Sequence, residues 1–233
     1  MTIIRVIDFE TSGTEPPAEV CEVGTCDLHL GQRLIEAPQS WLCCVKEMPP
    51  EVRAVHHISL AECEPWQPFD AGMIFNRTNE AAAYAAHNAE FEMQFLPALP
   101  APMICTYKAA LRVWPGAPSH SNGALRYWLE DQGKISPDHA LTQPAHRAGP
   151  DAYVTAHILL ALFDAGATGR EMVAWTKEPR LLPKCPIGAE WRGKPWAEVD
   201  TGFLRWMTNQ ATMEADLKWN AQRELGRRAG AGA

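Results

Sequence analysis

Apolar residues in the first half of the chain recur at the short spacing that is typical of strands. Three apolar runs, residues 2–10, 20–30 and 40–47, are separated by short segments rich in turn-forming residues. Connections of this length favour an antiparallel meander. Two shorter apolar runs, residues 81–88 and 102–107, predict further strands.

In the segments between and after these runs, apolar residues recur at helical spacing. The pattern predicts six helices, at residues 59–66, 69–79, 89–99, 108–114, 121–131 and 150–166. The last is the clearest, because Pro150 suits a first helical turn and Gly166 suits the end of a helix. Three antiparallel strands followed by helix–strand alternation predict an α/β fold, with a mixed sheet flanked by helices.

The pattern changes after Gly166. A short helix and a proline-containing linker come first, and residues 185–200 have the close glycine and proline punctuation of a small hairpin. Two short helices, at 201–210 and 213–225, are predicted next. We therefore expect four parts, which are a main domain at residues 1–168, a linker at 169–183, a small module at 184–228 and a disordered tail at 229–233.

Composition describes an ordinary globular protein. Hydrophobic residues make up 46% of the 233 residues and charged residues 21%. No apolar run approaches the ~18 residues of a membrane helix, and the N-terminus lacks the pattern of a signal peptide. We expect a cytoplasmic protein with no membrane partner. Its seven cysteines include no C-x-x-C pair, which argues against a zinc knuckle and for buried free thiols.

The net charge of −7 is unevenly distributed. Residues 184–233 hold eight Lys or Arg and six Asp or Glu, a balance of +2, which leaves 13 basic and 22 acidic residues, a balance of −9, in the rest. Proteins that coat nucleic acid are usually basic. Any nucleic acid that this chain handles is therefore expected to be a substrate that is bound locally.

Two acidic residues stand inside the first apolar run. Asp8 and Glu10 are two apart, so on a strand they project from the same face, while Ile7 and Phe9 face the other way. Adjacent carboxylates repel each other unless a cation lies between them, and a buried charge is costly without a partner. The alternative is a strand at the edge of the sheet, where water solvates both acids.

A middle segment could supply another acid to the same place. Glu92 lies next to the apolar stripe that Phe91 and Phe95 define on the predicted helix. It is therefore a better candidate for pointing inward than Glu90, which is two residues away and faces a different direction.

A late segment offers an acid and a histidine. Asp151 lies in the first turn of the long predicted helix, and His146 lies five residues earlier in the preceding loop. Each also has a purely structural interpretation. A first-turn acid is favoured by the helix dipole, and a loop histidine is commonly a surface residue.

Together these segments resemble the DEDDh (DnaQ-like) 3′→5′ exonuclease family. In order, the chain has D-x-E on the first strand, H-N-A-x-F-E at residues 87–92 and H-x-x-x-x-D opening the long helix. This likeness covers about residues 1–166 and implies a ribonuclease-H-like fold. The segments AVHHIS, ICTYKAALRVWPG and SNGALRYWL, and PIGAEWRGKPWAEVDTGFLRWM near the C-terminus, are similar to the exonuclease X group of this family, including its small C-terminal module.

The resemblance implies an enzyme that hydrolyses terminal phosphodiester bonds at the 3′ end of single-stranded or 3′-ended DNA and releases nucleoside 5′-monophosphates. Four carboxylates would hold two Mg²⁺ or Mn²⁺ ions, since hard cations prefer oxygen ligands and a metal pair stabilises an in-line displacement. The implied ligands are Asp8, Glu10, Glu92 and Asp151. The implied general base is His146, a role that imidazole commonly performs. The implied substrate contacts are Thr11, His56 and Asn88.

Two residues depart from the family pattern. The family usually has Asp where this chain has Glu92, and it often has an apolar residue after Gly13 where this chain has Thr14. A glutamate reaches roughly 1 Å further than an aspartate. Because Mg²⁺ demands nearly ideal octahedral geometry, we expect this change to favour Mn²⁺ over Mg²⁺.

Two alternative functions remain open at this point. An RNA-trimming exonuclease of the same fold would carry the same motifs, because no residue can be assigned to a 2′-hydroxyl. A catalytically weak member could serve as a nucleic-acid-binding module, with Glu92 as a mark of lost activity, although the other acids and His146 are present. In the C-terminal module, Trp191, Trp196 and Trp206 could stack on a bound strand or form the module's core.

Overall fold

The fold is built on a mixed sheet with the first strand at its centre. The computed structural model of the protein describes residues 2–75 and 80–230. The strands are β1 (Ile3–Thr11), β2 (Val20–His29), β3 (Leu34–Ile35), β4 (Gln39–Leu42), β5 (Ala83–Ala86) and β6 (Met103–Cys105). Their order is β3-β2-β1-β5-β6, with β4 also paired to β2. β2 runs antiparallel to β1, β3 and β4, and β5 and β6 extend the sheet in parallel, so the predicted mixed sheet is confirmed.

Helices flank this sheet. In the described residues they are α1 (Pro50–His56), α2 (Leu60–Cys63), α3 (Gly72–Phe75), α4 (Thr106–Val113), α5 (Asn122–Asp131), α6 (Ala148–Asp164), α7 (Gly169–Lys177), α8 (Thr201–Asn209) and α9 (Ala215–Gly230). The predicted helices at 59–66, 108–114, 121–131 and 150–166 are confirmed with small shifts at their ends. The helix predicted at 69–79 is present as α3, and residues 76–79 lie outside the described residues. The sequence pattern predicts neither α1 nor β3.

The helix predicted at residues 89–99 is wrong. Asn88 has a left-handed backbone, with φ 73°, that turns the chain at the end of β5, and a single 3-10 turn, Glu92–Gln94, follows. A proline two residues after Phe95 prevents a regular helix from continuing. Phe91 and Phe95 pack edge to face with 5.4 Å between ring centroids. Their helical spacing therefore reflects a local ring contact rather than an α-helix.

Helix α6 packs across β1 and β2. The apolar core on this side of the sheet includes Val6 together with the buried residues of α6. Ile7 and Phe9 belong to a second core on the opposite face. Because side chains alternate along a strand, the next even-numbered positions, Asp8 and Glu10, face the α6 side of the sheet.

Helix α7 is part of the packed fold. Met172 belongs to the same apolar core as α6, and the Thr176 hydroxyl accepts a hydrogen bond of 2.7 Å from the Cys105 backbone N–H. The first part of the expected linker at 169–183 is thus a helix packed onto the main domain. The division of the chain into domains otherwise stays a prediction.

The C-terminal residues form a module with a small core of its own. Lys184 and Pro195 form an isolated antiparallel bridge at the base of the predicted hairpin. Apolar side chains of this segment, α8 and α9 pack together, among them Cys185, Trp196, Leu204, Met207 and Leu217. Helix α9 continues to Gly230, so the tail predicted from residue 229 is helical at its start, and residues 231–233 lie outside the described residues.

All seven cysteines are free, as predicted, and only Cys44 among them is not fully buried. No single described helix is long and apolar enough to cross a membrane, although α6 and α7, bent by 115° at the break between them, would pass as a pair on length and composition.

Candidate active site

Three carboxylates from two elements meet at one end of β1. Asp8 and Glu10 project from β1, and Asp151 projects from the first turn of α6. Each offers an oxygen within 4.8 Å of the oxygens of the other two, a spacing that suits a bound metal ion. Since β1 lies between β2 and β5, the alternative of a solvated edge strand is wrong.

A close approach of α6 to β2 brings Asp151 to this place. Asp8 pairs with Gly24 of β2 in the sheet register. A Cβ atom on Gly24 would lie only 2.0 Å from the backbone carbon and oxygen of Ala148, the first residue of α6. A Cβ on Gly149 would likewise lie 2.2 Å from the Ser40 hydroxyl oxygen. The helix therefore starts directly against the sheet because glycine occupies both contact positions.

An ion pair that sequence reasoning missed fixes the same helix end. Glu22, opposite Glu10 in the register, is buried and accepts two hydrogen bonds from the Arg147 guanidinium, at 2.9 and 2.6 Å. It also accepts one from the backbone N–H of Ala148 at 2.9 Å. Such bidentate charge-assisted contacts fix orientation as well as distance. The signal was present in the sequence, because Glu22 stands in an apolar strand just as Asp8 does.

His146 lies beside the three acids. Its backbone is left-handed, with φ 57°, and its backbone N–H donates to Asp151 Oδ2 at 3.2 Å. Its side chain is exposed. Because Arg147 is the next residue, its ion pair with Glu22 also holds the loop that carries His146.

Glu92, in the 3-10 turn that follows β5, contributes a fourth acid. It is 2% exposed, and its Oε2 atom is buried with no hydrogen-bond partner among the described residues. Glu90 points elsewhere, because its carboxylate accepts a hydrogen bond of 2.6 Å from Lys108 Nζ and its side chain is 58% exposed. Glu92 does not belong to the group of three acids whose oxygens lie within 4.8 Å of one another. Its carboxylate is nevertheless close enough to raise the pKa of Asp8.

Burial raises the pKa of all four acids above its usual range. Burial, the largest cause, raises the pKa of Glu10 to about 8 and that of Glu92 to about 8. Burial followed by the charge of Asp151 holds the pKa of Asp8 well above its usual range. The pKa of Asp151 is raised as well, again mainly by burial.

These carboxylates fit a site for hard divalent cations. A buried carboxylate oxygen without a partner, next to three converging carboxylates, is costly in a protein that lacks a counter-charge. Two divalent ions carry +4 and would balance the four acids when all are ionised. Oxygen-only donors of this kind suit Mg²⁺ or Mn²⁺.

The three expected substrate contacts have different surroundings. His56 is buried, and its Nδ1 atom accepts a hydrogen bond of 3.0 Å from the Ile58 N–H. Burial lowers the pKa of His56, and its hydrogen bond to the Thr11 backbone partly opposes this shift. Thr11 is buried too, and its hydroxyl donates to the Gly13 carbonyl at 2.6 Å. Asn88 is exposed at the end of β5. The first two side chains shape the turn after β1, and Asn88 is open to solvent.

Comparisons with known proteins agree with this geometry. No family model matches the chain. The chain is 32% identical over 227 residues to exodeoxyribonuclease 10 of Escherichia coli (strain K12), covering 93% of this chain and 96% of that protein.

Solved structures that superpose on this chain are also exonucleases. Exonuclease X in complex with 5′-overhanging duplex DNA superposes with a TM-score of 0.62 at 30% identity, over 74% of this chain and 99% of that chain. The nuclease domain of 3′hExo, described as a DEDDh family member and bound to rAMP, superposes with a TM-score of 0.51 at 16% identity, over 70% of this chain and 92% of that chain. The second likeness shows the fold alone.

Proposed function

Because the chain belongs to the exodeoxyribonuclease 10 family, the exonuclease X group of the DEDDh exonucleases, we propose that it removes nucleotides from the 3′ end of DNA. It is an exonuclease enzyme, and the name of its relative supports DNA as the polymer. The observation that carries the proposal is the convergence of Asp8, Glu10 and Asp151 beside the unpartnered buried oxygen of Glu92. That arrangement is suited to phosphodiester hydrolysis, and it argues against a catalytically weak binding module.

The proposed metal ligands are Asp8, Glu10, Glu92 and Asp151. When bound, two divalent ions neutralise the phosphoryl oxygens and favour ionisation of the attacking water. Asp8 and Glu10 supply oxygens from one rigid strand. Asp151 supplies an oxygen from the start of α6, which the contact with Gly24 holds in place.

The proposed general base is His146. Its side chain is exposed next to the acids, where water and a bound substrate have access to it. Its backbone N–H donates a hydrogen bond to Asp151, so one contact positions the proposed base relative to a proposed metal ligand. Proton transfer to a positioned base contributes roughly 10²–10⁴-fold to a rate. Asn88 is proposed to contact the substrate directly, with Thr11 and His56 acting through the turn that they shape.

A cleavage assay tests the proposed chemistry. A DNA strand labelled at its 5′ end should give a ladder of products shortened from the 3′ end, with nucleoside 5′-monophosphates released. Chelation should stop the reaction, and Mn²⁺ should restore it better than Mg²⁺, because the longer Glu92 disturbs the octahedral geometry that Mg²⁺ demands. An RNA strand of the same sequence, run alongside, distinguishes the polymer.

Asp8→Asn should abolish cleavage under these conditions. Asp131→Asn, a change of the same type at an exposed position of α5, should leave it unchanged. Cleavage of the DNA from its 5′ end, or full activity of the Asp8→Asn variant, would contradict the proposal.

A further inference from the structure

Three aromatic side chains form a continuous row on the surface of the C-terminal module. The rings of Phe203 and Trp206 are stacked, with 5.2 Å between centroids and an interplanar angle of 25°. Trp191 also lies next to Phe203, with 6.3 Å between centroids and an interplanar angle of 39°. Trp206 is 48% exposed, and Trp191 and Phe203 are half-buried. We name Trp191, Phe203 and Trp206 the aromatic platform.

The core of the module does not need the whole platform. Trp196 is the tryptophan of the core, since it is 8% exposed and its indole N–H donates to the Leu182 carbonyl at 2.8 Å. On α8, Leu204 and Met207 are the side chains that point into the core. Trp206 lies outside this apolar cluster, so its large apolar surface needs another explanation.

The platform is held rigidly. Gly188 has a left-handed backbone, with φ 80°, and a Cβ there would lie 2.8 Å from the Phe203 ring and 3.3 Å from the Trp191 ring. Glycine thus lets the loop close tightly onto both rings. A surface whose rings are fixed before binding loses little conformational entropy when a ligand stacks on it.

The loop beside Trp191 carries a positive charge. Lys194 Nζ lies 4.8 Å from the centroid of the Trp191 ring. The loop at residues 184–194 contains the basic residues Lys184, Arg192 and Lys194 and one acid, Glu190. None of these three basic side chains forms a salt bridge with another described residue. A chain with a net charge of −7 therefore places a loop of charge +2 beside its exposed aromatic row.

We propose that the aromatic platform, with Lys194, is a second nucleic-acid contact that stacks on unpaired bases of the strand being degraded. Stacking on aromatic rings beside a positively charged groove is the usual way in which proteins hold single strands without reading their sequence. The occupant is a polynucleotide rather than an apolar protein surface, because the loop presents cations next to the rings. That the bound strand is the one being degraded rests on the proposed function, but the binding test below does not depend on cleavage.

The test measures binding of a 20-nucleotide DNA strand by fluorescence anisotropy, in EDTA, with the full-length chain carrying Asp8→Asn. Trp206→Ala in this background should weaken binding about tenfold, as expected for the loss of one stacking contact. Trp206→Phe should retain most of the affinity because it keeps a ring. Trp66→Ala is the matched control, since Trp66 is 52% exposed on the main domain. Thermal melting establishes that each variant is folded.

Three results would overturn the inference. The first is unchanged affinity in the Trp206→Ala variant, and the second is an equal loss in the Trp66→Ala variant. The third is a dimer of the parent protein in light scattering that Trp206→Ala converts to a monomer, which would assign the platform to a second copy of this chain.

A cleavage measurement separates this inference from the proposed function. With Asp8 restored and Mn²⁺ present, Trp206→Ala should slow degradation of the 20-nucleotide strand at limiting concentration but leave saturated turnover unchanged. If the chain with Asp8 restored cleaves no DNA at all, the proposed function fails, and the binding result still decides the role of the platform.

Discussion

Replacing Gly24 by alanine tests how the site is assembled. The change adds one methyl group to β2, at the position paired with Asp8 and far from solvent. Its Cβ would lie 2.0 Å from the backbone of Ala148, whereas Cβ contacts under 3.0 Å are essentially never observed. The two backbones must therefore separate by roughly 1 Å or more.

The separation should displace catalytic groups more than it unfolds the protein. Asp151 and His146 lie three residues after and two residues before Ala148, so a shift of the helix end carries both away from β1. A misplacement of about 1 Å can cost on the order of 10² in rate. Overpacking of this kind costs typically about 1–3 kcal/mol of stability, which a folded domain usually tolerates.

The assay compares saturated turnover of a labelled DNA strand with thermal melting. Gly24→Ala should lower turnover about 100-fold and require a higher Mn²⁺ concentration for half-maximal rate, because Asp151 is a proposed ligand. Gly31→Ala is the control, since a Cβ on Gly31 meets nothing within 4 Å. Wild-type turnover and metal dependence in a folded Gly24→Ala variant would refute the positioning of α6 by this contact.

Three further predictions follow from the same geometry. His146→Ala should lower turnover roughly 10²–10⁴-fold without weakening metal binding, whereas His139→Ala should be nearly silent, and equal losses would contradict the role of His146. Glu92→Gln should abolish metal-dependent cleavage and Glu90→Gln should not, and the reverse result would move the ligand to position 90. Without metal, stability should fall as pH rises from about 4.5 to about 8, because the raised pKa of Glu92 favours its protonated form in the folded state. Glu92→Gln should therefore melt several degrees higher than the wild type at pH 8 in EDTA but not at pH 4.5, and equal melting temperatures at pH 8 would contradict this.

The main features of the site could be read from local sequence patterns. Asp8 and Glu10 share a face because side chains alternate along any strand, and Asp151 begins a helix whose apolar spacing is unambiguous. Both inferences need only residues close together in the chain. Glu22 shows the same pattern, an acid inside an apolar strand, but no local pattern indicates its partner Arg147.

Two sequence patterns did not predict the structure that formed. Phe91 and Phe95 have helical spacing, yet the chain turns sharply at Asn88 and forms only one 3-10 turn. Three tryptophans of the C-terminal module looked equivalent in sequence. The fold buried Trp196 and left Trp206 on the surface, because only one of them faces the packed helices.

The antiparallel meander and the long helix could be predicted from the sequence, as could the four acids and one histidine proposed for the site. The tertiary structure decided how these groups meet. Glu22 and Arg147 are 125 residues apart, and Gly24 meets Ala148 across a similar interval. Periodicity reports which face a residue occupies on its own element, whereas the partner across that face is selected by packing of the whole chain. The closeness of α6 to β2, and with it the position of Asp151 and His146, therefore became visible only in the folded protein.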